Sequence, residues 1–275
     1  MTEAAESSRP AWSDAFEPDR LRAIRPVRLP APITRTAAWG DGLGTGVKVA
    51  IVDSGIDADH PCVGGVTGGV VVEPDESAEA GIRYVDGPHP DLYGHGTACA
   101  AIIRGLAPAC DLFSVRVLGA ALTGRGAVLA AGIQWAIDHG MDVVNLSLST
   151  RSRALLENFY ELVDQAAFAN VMLVSAINNV PAPSFPSQFS GVFSVAAYAG
   201  QDPEHFVANP NPPVEFGAPG IDVEVAWTDG GSLVATGNSF AAPHIAGLLA
   251  RIVGAHPGIT PAEAKTLLRA LADNQ

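Results

Sequence analysis

Residues 47–55 read VKVAIVDSG, a short apolar run that stops at a polar turn. Strands of a parallel sheet are covered on both faces and lack the alternation of half-exposed strands, so this run is typical of them. Asp53 and Ser54 lie where the predicted strand ends. Because ligands of such sheets bind beyond the carboxyl ends of the strands, this end is a candidate functional position.

Similar apolar runs recur along the chain and alternate with stretches of helical periodicity. The runs lie at 112–118, 143–148, 171–176 and 192–197, and the helical stretches at 126–139, 154–169 and 261–272. This alternation predicts right-handed crossovers in a mostly parallel sheet. We therefore expect an α/β fold, a three-layer sandwich whose central sheet is flanked by helices. Thr260, Pro261 and Glu263 predict a capping box at the start of the last helix.

Bulk composition limits the kinds of partner. The 275 residues carry a formal net charge of -13, which argues against nucleic acid as a partner. No stretch is long and apolar enough to span a membrane, and residues 1–19 do not resemble a secretory signal. The odd number of cysteines, three, fits a reducing compartment. We expect a cytoplasmic protein without nucleic-acid or membrane partners.

The first 35 residues differ from the rest of the chain in being rich in proline and arginine. This composition predicts an extended leader or pro-like arm at residues 1–35, followed by one domain at residues 36–275. Two hypotheses remain open for the arm. In the first, the arm lies in the cleft around residues 21–32 as a strand that inhibits the protein itself. In the second, the arm is a solvated leader.

Three short motifs carry the chemistry. Asp53 ends the first strand, His95 stands between two glycines before an apolar helical stretch, and Ser239 begins a predicted buried helix. The glycines are expected to leave the histidine ring accessible, and the positive end of a helix favours a developing oxyanion. Taken singly, each residue has an ordinary structural interpretation as a turn aspartate, a loop histidine or a helix cap.

In the order Asp, His, Ser, the three motifs resemble those of subtilisin-type serine proteases, the subtilase family. The resemblance extends over residues 33–272 and includes the Ala-Pro-Gly at 218–220. It implies a subtilisin-like fold and a serine endopeptidase. Ser239 would attack the scissile carbonyl, His95 would transfer the proton, and Asp53 would orient the imidazole.

The resemblance also implies an amide side chain that binds the oxyanion. An ungapped alignment of residues 170–179 puts Asn179 at this position and Asn178 where the family has Gly, and Asn tolerates the positive φ of such a position. A shifted register makes Asn178 the donor and puts the β-branched Ile177 at the glycine position. We favour Asn179.

Substrate binding by members of this family resembles the addition of a strand to a sheet. The peptide is expected to pair with Leu122, Thr123 and Gly124 on one side and with Ser147, Leu148 and Ser149 on the other. Where the family has paired glycines, this chain has Ser149 and Thr150, which are expected to alter the first side-chain pocket.

The family's calcium loop follows the helix of the histidine motif, yet residues 102–108 run onward without that insertion. The family's carboxylate after His-Pro is Cys62 here. Because calcium needs several oxygen ligands, we expect this site to be absent and no metal or other cofactor to be bound. A peptide or protein substrate is the partner that the resemblance implies.

Other functions fit the sequence less well. An α/β-hydrolase esterase needs its acid and histidine after the serine, where the helix offers only His244. A metal hydrolase would need histidines at ligand spacing, which are not found. A catalytically weak or silent peptide-binding module stays open, because Asn178 and Asn238 replace the family's Gly and Thr. Processing of one precursor peptide, as in maturation proteases of ribosomal peptide natural products, stays open beside general protein turnover.

Overall fold

The computed structural model describes residue 13 and residues 17–23, 29–78 and 80–274. Its helices are α1 (Pro18–Ala23), α2 (Arg35–Ala38), α3 (His95–Leu106), α4 (Gly126–Asp138), α5 (Leu156–Phe168), α6 (Asn238–Ala255) and α7 (Pro261–Leu271). Its strands are β1 (Lys48–Asp53), β2 (Gly68–Pro74), β3 (Ile82–Asp86), β4 (Asp111–Arg116), β5 (Val143–Leu146), β6 (Met172–Ala176), β7 (Phe193–Ala199), β8 (Val207–Ala208), β9 (Phe216–Ile221), β10 (Val223–Trp227) and β11 (Gly231–Ala235).

One sheet in the order β3-β2-β4-β1-β5-β6-β7-β9-β8 forms the centre of the described chain. The seven strands from β2 to β9 in that order pair in parallel, and only the two edge strands β3 and β8 are antiparallel to their neighbours. The predicted mostly parallel α/β sheet is confirmed. Strand β1 lies between β4 and β5 and is therefore an inner strand. Asp53, its last residue, lies at the carboxyl edge in the middle of the sheet.

Both faces of the sheet are covered, as the unbroken apolar run of β1 predicts. Val49 and Ile51 belong to a core that β1 shares with α3, α6 and α7, whereas Ala50 and Val52 belong to a second core shared with α4 and α5. All four side chains are at most 1% exposed. The three layers are therefore helices, sheet and helices.

Helix α6 is deeply buried in the first core. Its residues are buried without a break from Phe240 to Ile252, and it packs against α3 and the strands β5, β6, β7 and β9. A helix that is apolar on all faces is stable only inside such a core. Its first turn, with Ser239, is thereby fixed against the carboxyl edge of the sheet. In the part of the chain that the structure describes, no helix is long and apolar enough to cross a bilayer.

Several strands lie outside the predicted alternation. The edge strands β3 and β8, the inner strands β2 and β9 and the separate hairpin of β10 and β11 have no counterpart among the predicted strands. They are short or partly exposed, so their side chains lack the continuous apolar pattern of β1. The predicted capping box is confirmed, since Thr260 and Glu263 bond to each other's backbone N–H groups.

The end of the predicted N-terminal arm packs on the main body. Leu29 and Ile33 contact the first core, and Arg35 pairs with Asp273 at 2.7 Å. Residues 1–12, 14–16 and 24–28 lie outside the described residues. Residues 18–23 form α1, which corrects the expected extended conformation at this place, and both hypotheses for the role of the arm stay predictions.

The guanidinium of Arg104 joins two loops at the end of α3. Its Nε donates to the carbonyl of Val63 at 2.9 Å, and its Nη2 to that of Gly65 at 3.3 Å. Its Nη1 donates to the carbonyls of Pro108 and Cys110 at 3.0 and 2.7 Å. One charged side chain therefore binds the loop before β2 to the turn between α3 and β4.

Candidate active site

The carboxylate of Asp53 holds the ring of His95. Asp53 is fully buried at the end of β1, and each of its oxygens lies 2.9 Å from His95 Nδ1. The backbone N–H of Ser54 also donates to Oδ1 at 2.8 Å. A carboxylate is an acceptor, so Nδ1 carries the proton and the other ring nitrogen, Nε2, is left as a base.

Ser239 and His95 line one cleft of about 410 Å³, with Asp53 behind the histidine ring. Ser239 lies in the first turn of α6, where backbone N–H groups have no partner within the helix. Among the described residues, its Oγ forms no hydrogen bond with His95. Such contacts are often long without substrate and tighten when it binds.

The glycines beside His95 provide close packing, which corrects the expectation of an accessible ring. His95 is the first residue of α3 and only 6% exposed. A Cβ on Gly96 would lie 2.0 Å from the carbonyl oxygen of Gly55. Gly94 has φ +114°, and a Cβ there would lie 2.5 Å from the ring of Trp227. Larger residues would push the start of α3 away from Asp53.

Asp91, which lies outside the three catalytic motifs, organises the start of α3. Its Oδ1 accepts hydrogen bonds from Ser54 Oγ at 2.8 Å and from the N–H groups of Tyr93 and Gly94 at 2.9 and 2.8 Å. Its Oδ2 accepts from the N–H and Oγ1 of Thr97 at 2.9 and 2.7 Å. An aspartate shortly before a helix is a typical cap, and this was the signal available in the sequence.

Two carboxylates set the pKa of His95. Burial lowers this pKa, but the charge of Asp53, its hydrogen bond to the ring and the charge of Asp91 outweigh burial, so the pKa lies above its ordinary value. A stabilised imidazolium is what a base needs when it removes a proton from a hydroxyl.

A buried polar cluster lies beneath the three residues. Ser147 Oγ donates to the carbonyl of Ser239 at 2.7 Å and accepts from Asn145 Nδ2 at 2.9 Å. The thiol of Cys99 lies 3.2 Å from Ser147 Oγ and 3.9 Å from Asp53 Oδ2. Burial raises the pKa of this thiol well above its ordinary value, so Cys99 stays protonated and is no nucleophile.

The two asparagines after β6 differ in orientation. Both line the cleft with Ser239, and Asn179 Oδ1 accepts from the backbone N–H of Asn238 at 3.0 Å. Asn178 Oδ1 accepts from the N–H of Val180 at 3.0 Å, as in an Asx turn. Neither asparagine is among the described non-glycine residues with positive φ. Asn178 does not adopt a positive φ here. The tolerance of asparagine for positive φ therefore does not explain why it stands where the family has glycine.

The six predicted substrate-contacting residues line the same cleft as His95 and Ser239. Leu122 has φ +54° and its N–H bonds to the carbonyl of Gly119, so it is a turn residue and not part of an extended edge. The N–H of Gly119 in turn donates to the carbonyl of Thr123 at 3.0 Å, and the pairing of residues 122–124 with a peptide stays a prediction. Thr150, which also lines the cleft, exchanges two backbone hydrogen bonds with Phe185, at 2.9 and 2.8 Å, and is held in place by them.

His244, the second histidine of the Ser239 motif, faces away from the cleft. Its Nδ1 lies 3.1 Å from the carbonyl of Pro203, and burial lowers its pKa to about 4. It does not reach Ser239, so the esterase arrangement is not formed.

These observations define an α/β sandwich in which an Asp–His pair and a serine at a buried helix start meet at the carboxyl edge of the sheet. The chain belongs to the subtilase family, whose family model matches residues 44–275. The predicted family membership and subtilisin-like fold are confirmed.

Individual relatives agree with this assignment. The chain is 31% identical to the thermostable alkaline protease of Halalkalibacterium halodurans, over 83% of this chain and 66% of that protein. It is 30% identical to subtilisin E of Bacillus subtilis, over 83% of this chain and 61% of that protein. It is also 30% identical to a subtilisin of Bacillus pumilus, over 83% of this chain and 84% of that protein. The chain thus spans less than two thirds of the length of the first two.

A solved structure has the same fold. The crystal structure of a cold adapted subtilisin-like serine proteinase superimposes with a TM-score of 0.69 at 26% identity, covering 84% of this chain and 83% of that one.

Proposed function

We propose that this protein is a serine endopeptidase that cleaves peptide bonds through an acyl-enzyme. The observation that carries the proposal is the Asp53 carboxylate bound to His95 Nδ1, with the other ring nitrogen left as a base in the cleft that Ser239 lines. Membership of the subtilase family supports it.

In this proposal, His95 Nε2 removes the proton of Ser239 Oγ as the oxygen attacks the scissile carbonyl. The Nδ2 group of Asn179 and the backbone N–H of Ser239 stabilise the oxyanion of the tetrahedral intermediate. His95 then donates the proton to the leaving amine, which leaves an acyl group on Ser239. Water, activated by the same histidine, hydrolyses the ester. Asp53 keeps the ring in the productive tautomer and stabilises its positive charge.

The substrate backbone is proposed to lie between residues 122–124 and residues 147–149, all of which line the cleft. Main-chain pairing holds a peptide with little regard to its sequence, whereas the pockets select side chains. Processing of one precursor peptide therefore predicts cleavage of a single motif in a peptide library. Broad cleavage would indicate general protein turnover. The cytoplasmic location stays a prediction.

A fluorophosphonate probe tests the proposal directly, because it reacts only with an activated serine. We expect one probe per chain on Ser239, found by mass spectrometry of the tryptic peptide, and loss of labelling in His95→Ala. Folded wild-type protein that takes up no probe would contradict the proposal and favour the silent peptide-binding module.

The pKa of His95 predicts the acid side of the pH profile. Protonated His95 cannot accept the proton of Ser239, and its pKa is raised, so kcat/KM should rise with pH through an apparent pKa above 6.5. Asp91→Asn removes one negative charge that raises this pKa, and should shift the rise to lower pH. Asp164→Asn, at an exposed position on α5, is the matched control. An unshifted profile in Asp91→Asn would show that Asp91 does not act on the histidine.

We also propose that the protein needs no calcium at the place where the resemblance puts the family's site. Calcium takes six to eight oxygens, often carboxylates. Here the residue after His-Pro is the exposed Cys62, and the carbonyls of residues 63, 65, 108 and 110 accept from Arg104. A guanidinium repels a second cation, so these residues do not fit calcium. Among the described residues, the one cluster with metal-ligand geometry is Asp53, His95 and Cys99, in the active site.

The melting temperature should therefore change by less than about 2 °C in excess EDTA. Arg104→Met should lower it by roughly 5–10 °C, because loss of a charged donor whose acceptors partly regain water costs about 1.5–3 kcal/mol in total, and 1 kcal/mol corresponds to roughly 2–4 °C in a chain of this size. Arg153→Met, at an exposed position, is the matched control. A sharp drop in EDTA would overturn the proposal, whatever the effect of Arg104→Met.

A further inference from the structure

The side chain of Asn238, beside the nucleophile, connects three elements of the site. Its Oδ1 accepts from the N–H of Ala197 in β7 at 2.8 Å. Its Nδ2 donates to the carbonyls of Ile177 and Asn178 at 3.1 and 3.3 Å. One amide at the start of α6 therefore binds both β7 and the segment that leaves β6.

The backbone of Asn238 makes a fourth contact, which bears on the oxyanion. Its N–H donates to Asn179 Oδ1 at 3.0 Å. The oxygen and the nitrogen of a primary amide lie in one plane on the same carbon, so a hydrogen bond to Oδ1 restrains the direction of Nδ2 as well. The two carbonyls bound by the Asn238 side chain belong to the two residues that directly precede Asn179. The same residue thus restrains Asn179 through its side chain and through its backbone.

We propose that Asn238 is a positioning residue that holds the Asn179 amide in the orientation that binds the oxyanion. The inference rests on the proposed function. It also gives a role to a residue that differs from the threonine usual in this family. Asn238 does not touch the reacting atoms. It acts through Asn179, so its contribution should exist only while Asn179 can donate.

The predicted effect of removing the side chain follows from this geometry. Asn238→Ala deletes three hydrogen bonds and keeps the backbone bond to Asn179, so Asn179 becomes looser but is not lost. We expect kcat to fall about 10-fold with KM changed less than about twofold, because an oxyanion donor acts in the transition state.

A double-mutant cycle provides the test. In the Asn179→Ala background, Asn238→Ala should lower kcat by less than about twofold, since residues that act as a unit are not additive. Equal losses in both backgrounds would overturn the inference, as would unchanged kcat in the single variant. An inactive wild-type protein would overturn the proposed function instead, so the two failures are distinguishable.

Two further variants separate positioning from stability. Asn238→Asp keeps the acceptor for Ala197 and the volume but loses the Nδ2 donors, so it should lower kcat at least as far, even if Asn238→Ala folds poorly. Asn274→Ala is the matched control, because Asn274 bonds to the N–H and carbonyl of Ala208 at the sheet edge in the same way. It should lower the melting temperature and leave kcat unchanged. If kcat and the melting temperature fall in parallel in all three variants, Asn238 has a structural role alone.

Discussion

Replacement of Ser239 by alanine is expected to lower kcat by about 10⁶-fold, the scale measured for the nucleophile of subtilisin, a member of the same family. Without Oγ, no acyl-enzyme forms and the Asp53–His95 pair has no proton to remove. Ser239 lies in the first turn of α6, and its neighbours on both sides are fixed by other groups, so the variant should fold normally. The measurement is hydrolysis of a chromogenic peptide at saturating concentration.

Peptide binding should survive in Ser239→Ala, because the cleft walls at residues 122–124 and 147–149 are unchanged. The wild-type protein and the variant should therefore bind a peptide analogue of the substrate that carries no aldehyde group with similar Kd, measured by calorimetry. Equal hydrolysis by both proteins would reveal a contaminating protease. His95→Ala is the matched variant, and combining it with Ser239→Ala should cause little additional loss, as expected for residues that act as a unit.

Asn179→Ala is expected to lower kcat by about 10²- to 10³-fold, the loss that removing one oxyanion-hole donor causes in subtilisin. The reason is electrostatic: Asn179 Nδ2 would face the position where the carbonyl oxygen becomes negative, and no other side-chain amide of the cleft is oriented by the backbone of α6. KM should change little, since the ground-state carbonyl gains less from this donor than the oxyanion does. Steady-state kinetics on one peptide separate the two parameters.

Asn178→Ala is the control for Asn179→Ala. The Asn178 side chain accepts from Val180 N–H within its own turn, so its loss should affect the loop more than the reaction. We expect kcat within about fivefold of the wild type, in keeping with the loss of one turn-stabilising hydrogen bond. Near-normal turnover in Asn179→Ala together with a large loss in Asn178→Ala would move the oxyanion donor to Asn178.

Five inner strands, β1, β4, β5, β6 and β7, were predictable because each carries an apolar run. An unbroken apolar run such as residues 47–52 has to be covered on both faces, and β1 is covered in this way. The inner strands β2 and β9, whose Gly and Pro residues interrupt the apolar pattern, and the two edge strands were not predictable. Strand β3 is half exposed and β8 has two residues, so neither carries an apolar run long enough to distinguish it from a loop.

For the site, the motifs located Asp53, His95 and Ser239, but the contacts that hold these residues become visible only in the folded chain. Asp91 precedes His95 by four residues, and only the folded loop brings it to Ser54. Asn238 stands beside the nucleophile, yet its partners lie in β7 and after β6. Such contacts join segments far apart in the chain, and no local periodicity encodes them.

The four carbonyls held by Arg104 have a consequence for how the protein responds to its medium. A loop held by a dissociable ion gains stability only in proportion to the logarithm of the ion concentration, and it loosens when the solution is diluted. A cation that is part of the polypeptide has an effective concentration fixed by covalent bonds. The guanidinium therefore binds the four carbonyls whenever the chain is folded. The stability of this junction does not depend on the concentration of an ion in the solution.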